Sequence, residues 1–129
     1  MATGEFTATE VSISDPVKGL TVRSWDGPAY KPILDFGTWR IAGLNHAERF
    51  SESARVKKSR HLTTDEAFIL IEGEATLYVG DDLTPVKMKK NKVYDVKAGT
   101  WHQIATIPGA RVLIVENADS SQTDVEPTR

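Results

Sequence analysis

The chain has 129 residues, with 16 lysines and arginines, 18 aspartates and glutamates, and a formal charge of −2 at pH 7. This near-balance gives no broad positive potential for a phosphate backbone, so we expect no nucleic-acid partner. The absence of cysteine excludes disulfides, thiolate metal ligands and cysteine nucleophiles. The length fits one domain that can bury a core without such crosslinks.

The N-terminal sequence has neither a basic start nor an apolar segment of the kind found in signal peptides. The longest uncharged apolar run covers residues 67–71, which is far too short to cross a bilayer as a helix. We therefore expect a cytoplasmic protein without a membrane-spanning segment.

The pattern of apolar residues predicts an all-β fold, because helical periodicity is nearly absent and short alternating runs recur between turn residues. Residues 25–32 contain a glycine and two prolines and are predicted to form a loop, and residues 46–54 are predicted to lack regular structure. In chain order, the predicted strands cover residues 9–13, 20–25, 38–44, 67–71, 75–79, 85–88, 92–96, 102–106 and 111–116.

The strands at 67–71 and 75–79 are predicted to pair as a hairpin, because Gly73 between them supplies the positive φ of a tight reversal. The first of these strands is apolar on both faces and must therefore be covered twice. A second sheet and a second copy of the chain would cover it, so we expect a homodimer. An N-terminal strand covering the outer face of a monomer is the alternative.

Two segments resemble the two motifs of the cupin superfamily of small β-barrels. The first motif, G-x5-H-x-H-x3,4-E-x6-G, is matched by His61 at its second histidine, by Glu66 after four residues, and by Gly73 after six more. Ser59 stands where the first histidine is expected. The order and spacing of the matched residues carry the resemblance in this segment.

The second cupin motif, G-x5-P-x-G-x2-H-x3-N, is matched in part further along the chain. Gly99 and His102 keep its glycine and histidine. Lys97 replaces the proline, Thr106 the asparagine, and Asn91 the opening glycine. The resemblance implies an all-β, double-stranded β-helix, a jelly-roll-like barrel, with the matched side chains directed inward. We expect this single barrel domain to cover residues 1–116 and a polar, flexible tail to cover residues 117–129.

Metal-binding cupins typically hold a divalent ion with three histidines and a glutamate, so the resemblance implies His61, Glu66 and His102 as metal ligands. Two imidazoles and one carboxylate suit Fe, Mn, Ni or Zn. An equally weighted alternative has no ion, with both histidines satisfying hydrogen bonds inside the barrel and Glu66 paired with one of them. His46 lies outside both motifs and is predicted to be an ordinary loop residue. The remaining predicted pocket residues are Ser59, Thr63, Phe68, Tyr78, Tyr94 and Trp101.

Three functions are compatible with this pocket, and the sequence does not decide whether the protein is an enzyme. The leading hypothesis is a barrel that binds a small polar ligand, in its catalytic form as a divalent-metal-dependent oxygenase or isomerase. A metal-free, non-catalytic binding or sensing barrel is the first alternative. The second is a metal-free sugar or keto-acid isomerase or epimerase, with a histidine base and Tyr94 or Tyr78 as the acid. No pair of catalytic carboxylates is apparent in the sequence.

Overall fold

The computed structural model describes residues 11–119 and 121–128. No helix among these residues is long and apolar enough to span a membrane. Two short 3₁₀ helices, Glu48–Phe50 and Glu52–Ala54, lie in the segment predicted to lack regular structure. The strands are β1 (Val11–Val17), β2 (Leu20–Trp25), β3 (Ala29–Phe36), β4 (Trp39–Asn45), β5 (Lys57–His61), β6 (Glu66–Glu72), β7 (Ala75–Val79), β8 (Thr84–Lys87), β9 (Val93–Val96), β10 (His102–Thr106), β11 (Arg111–Asn117) and β12 (Thr123–Pro127).

Within the described part of the chain, the strands form two five-stranded antiparallel sheets, β12-β5-β10-β7-β8 and β3-β4-β11-β6-β9, and a separate pair made of β1 and β2. Buried apolar side chains from both larger sheets form one core, so the sheets pack face to face. The predicted all-β fold is confirmed, although residues 9 and 10 of the first predicted strand lie outside the described residues. The core consists of Ala42, Leu44, Phe68, Leu70, Ala75, Leu77, Met88, Val96, Val112 and Ile114.

The connection between β6 and β7 differs from the predicted hairpin. β6 pairs with β9 and β11, whereas β7 pairs with β8 and β10. The turn at Gly73 therefore takes the chain from one sheet to the other. Gly73 has the expected positive φ, 76°, and packs directly against the backbone of Ala110. The short connection thus identifies a reversal, but it does not fix which strands pair.

β3 begins inside the segment that was predicted to be a loop and occupies its second half, residues 29–32. It is an edge strand that pairs only with β4, and its register shifts between Pro32 and Leu34. Proline is tolerated on an edge strand because the missing N–H can face away from the neighbouring strand. The prolines therefore indicate the edge of a sheet in this segment.

β12 lies in the segment that was predicted to be a flexible tail, and that prediction is wrong for residues 123–127. All five residues of β12 pair with β5. The ion pair between Arg60 and Asp124, 2.9 Å long, links the two strands. Because β12 is an edge strand, it forms its backbone ladder without the apolar alternation that identifies a buried strand.

We expect Gly73→Ala to lower the free energy of unfolding by about 3 kcal/mol, since it combines a positive φ with a clash against backbone. A Cβ at Gly73 would lie 2.7 Å from the Cα of Ala110. Gly80→Ala is the matched control, because Gly80 has a φ of 91° but no atom within 4 Å of an added Cβ. It should cost about 1 kcal/mol. Urea unfolding of both variants measures the difference, and equal losses would contradict the packing described here.

Candidate functional site

Three strands bring His61, Glu66 and His102 together at one end of the core. The Nε2 atoms of His61 and His102 each lie 2.9 Å from Oε1 of Glu66. Glu66 and His102 are buried, and His61 is partly buried. One ligand atom from each of the three residues lies within 4.8 Å of the other two. The three side chains predicted to converge therefore form one cluster, referred to below as the His–Glu–His cluster.

The other nitrogen of each imidazole is held by a residue outside the cluster. Nδ1 of His102 lies 3.0 Å from the carbonyl oxygen of Thr100, and Nδ1 of His61 lies 3.0 Å from the hydroxyl of Thr123. A carbonyl can only accept, so the hydrogen-bond pattern assigns the Nδ1 proton of His102 and directs the bare Nε2 of the neutral ring at Glu66. A lone pair facing a carboxylate oxygen requires a positive charge between them, which is a proton or a metal ion.

The donor set of the cluster fits a divalent metal ion. Two imidazole nitrogens and one carboxylate oxygen are the ligands of non-haem Fe(II) sites with open positions, and they also suit Mn, Ni and Zn. An ion with bonds of about 2.1 Å at right angles places neighbouring ligand atoms about 3.0 Å apart. Each Nε2 lies 2.9 Å from the carboxylate oxygen of Glu66, which is close to that separation.

Electrostatics keep the glutamate of the cluster ionised. Burial acts to raise the pKa of Glu66, but hydrogen bonds with the protonated rings of His102 and His61 outweigh it and bring the pKa to about 2. The hydrogen bond to Glu66 in turn raises the pKa of His61 above its usual value, against the effect of burial. The buried carboxylate is thus compensated by the imidazoles when no ion is bound, as the metal-free alternative requires.

A second carboxylate lies beside the cluster and was missed in the sequence. Val115 of β11 is paired with Ala67 of β6, and the next positions on these strands are Glu116 and Glu66. The hydroxyl of Tyr30 donates a hydrogen bond to Glu116. Burial raises the pKa of Glu116 to about 7; the bond from Tyr30 opposes this shift and the carboxylate of Glu66 adds to it. The two glutamates form a carboxylate pair that only the cross-strand register reveals.

The cluster opens into a cavity of about 750 Å³. Ser59 and Phe68 line this cavity together with all three residues of the cluster. The ring of Phe68 packs edge-on against that of His102, with centroids 5.8 Å apart. Tyr30 also lines the cavity, and its hydroxyl is bonded to Glu116.

Tyr78 and Tyr94 do not line the cavity, which corrects their prediction as pocket residues. The apolar residue Leu77 faces the core, so the next residue, Tyr78, faces outward, where its hydroxyl donates to the carboxylate of Glu52. Tyr94 packs against the core, and its hydroxyl accepts the backbone N–H of Lys89 at 2.9 Å. Both phenols therefore have partners away from the cluster.

Trp101 and Thr63 also lie outside the cavity lining, which corrects the prediction for these two residues as well. The indole of Trp101 is covered by the guanidinium of Arg60, 4.4 Å from the ring centroid. Thr63 is exposed between β5 and β6. His46 follows β4, and its Nδ1 lies 2.7 Å from the hydroxyl of Thr106. It is not part of the His–Glu–His cluster.

Thr123 and Val125 of β12 contribute to the site and were not identified in the sequence. Thr123 bonds to His61, and Val125 lines the cavity. Thr123 and Val125 lie two positions apart and share one face of the strand. With a single aliphatic residue between polar neighbours, this segment gives only a weak strand signal. Both residues were missed because β12 was not predicted.

The sequence matches no family profile and no curated protein, but the fold is similar to several solved structures. A cupin-2 domain protein from Shewanella frigidimarina has 16% identity, a TM-score of 0.53, and coverage of 69% of this chain and 79% of its own. An RmlC-like cupin from Methanocaldococcus jannaschii has 15% identity, a TM-score of 0.54, and coverage of 84% and 88%. Streptomyces Pac13, solved with uridine, has 6% identity, a TM-score of 0.57, and coverage of 92% and 85%.

The chain therefore has the cupin fold, an all-β double-stranded β-helix, and the prediction made from its two partial motifs is confirmed. Identities of 6–16% to these structures concern the fold and not the activity, because one fold carries many chemistries. The function has to be argued from the His–Glu–His cluster and the cavity around it.

Proposed function

We propose that this protein is a divalent-metal-dependent cupin that binds a small, oxygen-bearing molecule beside an ion held by His61, Glu66 and His102. The observation that carries the proposal is the convergence of two imidazole Nε2 atoms on one carboxylate oxygen, each at 2.9 Å. The donor set leaves coordination positions open for a ligand. The catalytic form of the proposal is an oxygenase or an isomerase.

When bound, a divalent ion would act as a Lewis acid on an oxygen of the ligand. The chain's own residues orient and protect this site. Thr100 and Thr123 hold the two imidazoles through their Nδ1 atoms, and Phe68 packs against one of the rings. The hydroxyl of Ser59 offers a hydrogen bond to a bound ligand or water. These contacts pre-orient the cluster, which lowers the entropic cost of binding.

Tyr30 and Glu116 supply a group that exchanges protons beside the cluster. A carboxyl with a pKa of about 7 holds or releases a proton at neutral pH. Tyr30 donates to Glu116 and lines the cavity, so a proton can pass between the cavity and the carboxylate pair. This arrangement supports reactions in which a proton is added to or removed from the ligand.

Metal-free proton transfer is the second candidate function, and Tyr30 is the observation that favours it. Tyr30 takes the role that was predicted for Tyr78 or Tyr94, because it lines the cavity together with His61 and His102 and the other two tyrosines do not. Streptomyces Pac13, which has a similar fold, is described as a nucleoside dehydratase. The present chain would use an imidazole as the base and the Tyr30–Glu116 pair as the acid.

We also propose that the protein forms a homodimer. The sheet β3-β4-β11-β6-β9 exposes large apolar side chains, namely Phe36 at 68%, Val93 at 66% and Trp39 at 41% of their surface. Exposed apolar surface of this kind is typical of subunit interfaces. Light scattering should give twice the mass of the chain, and a monomer at micromolar concentration would contradict the proposal.

The cytoplasmic location and the lack of a nucleic-acid partner stay predictions.

The test of the proposed function is the metal content of protein purified without a chelating tag. We expect the wild type to carry close to one divalent ion per chain, and His102→Ala to carry almost none, because the variant loses one of three ligands. His46→Ala is the matched control, since this third histidine bonds to Thr106 outside the cluster. Elemental analysis measures all three. An ion retained by His102→Ala, or lost equally from His46→Ala, would reject the ligand assignment.

A further inference from the structure

The charges that line the cavity differ from those of the whole chain. The chain carries a formal charge of −2, yet Glu66 is the only carboxylate among the described residues that line the cavity. The acidic residues Glu48 and Glu52 belong to the neighbouring 3₁₀ helices but do not line it. A cavity with this imbalance has a positive potential that attracts anions. The basic residues that line the cavity are Arg49, Arg55, Lys57 and Lys58.

Two of these four cations are engaged elsewhere, and two are available to a ligand. Arg55 donates to Glu52 at 3.1 Å, and Lys58 lies over the indole of Trp101, which does not line the cavity. Arg49 lies over the ring of Phe50, 4.8 Å from its centroid, but that ring is itself part of the cavity lining. Arg49 and Lys57 are exposed, which places them at the mouth of the cavity. Among residues 11–119 and 121–128, neither of them forms an ion pair within 4.0 Å. Arg49 and Lys57 are referred to below as the basic mouth.

Between the basic mouth and the His–Glu–His cluster, the cavity wall is mainly apolar. A ligand covered with hydroxyl groups would leave many of them without hydrogen-bond partners against such a wall, which costs free energy for each group. An apolar ring or alkyl chain suits the wall without this cost. The apolar residues that form the wall include Leu44, Phe50, Phe68, Ile104, Ile114 and Val125.

We infer that the ligand of this protein is a small amphipathic organic acid, with its anionic group at Arg49 and Lys57, its apolar body along the wall, and an oxygen at the cluster. The contact of that oxygen with an ion rests on the proposed function, whereas the anionic and apolar parts rest on the cavity alone. A volume of about 750 Å³ lies in the range of sites for drug-sized molecules. Sugars, which carry hydroxyl groups along their whole length, suit this cavity less well.

The inference is tested on metal-free protein, with 4-phenylbutyrate as the acid and 4-phenylbutyramide as its uncharged counterpart. The two probes have the same apolar body, so a difference in affinity reports the charge. We expect the acid to bind about tenfold more tightly than the amide at low salt, and the preference to shrink as salt is added. Isothermal titration calorimetry measures both. Equal affinities, or no binding of either probe at millimolar concentration, would overturn the inference.

A double variant then tests whether the basic mouth is the source of the preference. Arg49→Gln with Lys57→Gln should remove most of the preference for the acid while leaving the affinity for the amide unchanged. Lys89→Gln with Lys90→Gln is the control of equal charge, because both residues are exposed outside the cavity lining. The same loss in both double variants would overturn the assignment, since it would reflect only the net charge of the protein.

The two proposals fail in distinguishable ways. If metal binds at the cluster and the acid has no advantage over the amide, the inference about the ligand is wrong and the proposed function stands. If the acid is preferred and no ion binds, the ligand class stands and the metal-dependent function is wrong. Both measurements use the full chain, and the calorimetry does not depend on activity.

Discussion

Glu66→Gln is expected to lower the affinity of the protein for Mn²⁺ by more than about 100-fold. The substitution keeps the size of the side chain and both imidazoles, but it removes the only anionic ligand of the cluster. A divalent ion in a mostly buried site depends on such a charge, because desolvation of the ion is otherwise uncompensated. A 100-fold loss corresponds to about 2.7 kcal/mol. Calorimetric titration of chelator-treated protein measures it.

Glu116→Gln is the matched control for this prediction. Glu116 neighbours Glu66 and faces the same side of the sheet, but it is not one of the three cluster residues. With a pKa of about 7, its carboxyl group is partly protonated at neutral pH, so glutamine resembles one of its ordinary states. We expect the Mn²⁺ affinity to change by less than about tenfold. An equal loss in both variants would place the ion between the two carboxylates instead of at the histidines.

Leu77→Ala is expected to lower the free energy of unfolding by about 2–5 kcal/mol. Leu77 is 1% exposed and lies opposite Ile104 on β10, two residues from His102. Truncating it leaves a cavity in the core shared by both sheets. Urea unfolding, with stability extrapolated to water, measures the loss.

Leu62→Ala makes the same chemical change at a side chain that is 40% exposed. It should cost less than about 1 kcal/mol, because much of the side chain contacts water in the folded protein. A loss at Leu77 no larger than that at Leu62 would contradict the position of the core. The pair therefore tests the packing of the two sheets independently of any metal.

The His–Glu–His cluster could be predicted from sequence because two segments resemble the cupin motifs, and the resemblance implies that the matched side chains point into the barrel. Glu66 begins β6 and His61 ends β5, so a short connection brings the two side chains together. His102 begins β10, which pairs with β5 through Ser59. The two partial motifs thus carried enough information to identify the fold and the three central residues.

The direction of Tyr78 was predicted incorrectly, although the sequence held part of the signal. The alternation of side chains along a strand tells which residues share a face. Which of the two faces points to the interior has to be inferred from the apolar residues on each face. In β7, Ala75 and Leu77 share the buried face, so the residue between Leu77 and Val79, Tyr78, points outward. Tyr94 does pack against the core, but it does not line the cavity.

The remaining parts of the site could not be predicted from one sequence. β5 and β12 are polar strands that contribute to the cavity, so neither shows the alternation of a strand over a closed core. The pair formed by Glu66 and Glu116 depends on the register between β6 and β11, which are far apart in the chain. Tyr30 was missed because it lies on β3, and the prolines of this segment led to the prediction of a loop.

Pulsed electron paramagnetic resonance of the wild type loaded with Mn²⁺ tests the central claim most directly, because it detects the nitrogen atoms bound to the ion. The structure predicts modulation from two imidazole nitrogens in the wild type, and none in His102→Ala, which should bind almost no ion. A bound ion without histidine nitrogens, or a spectrum unchanged in His102→Ala, would contradict the assignment of His61, Glu66 and His102 as a metal centre.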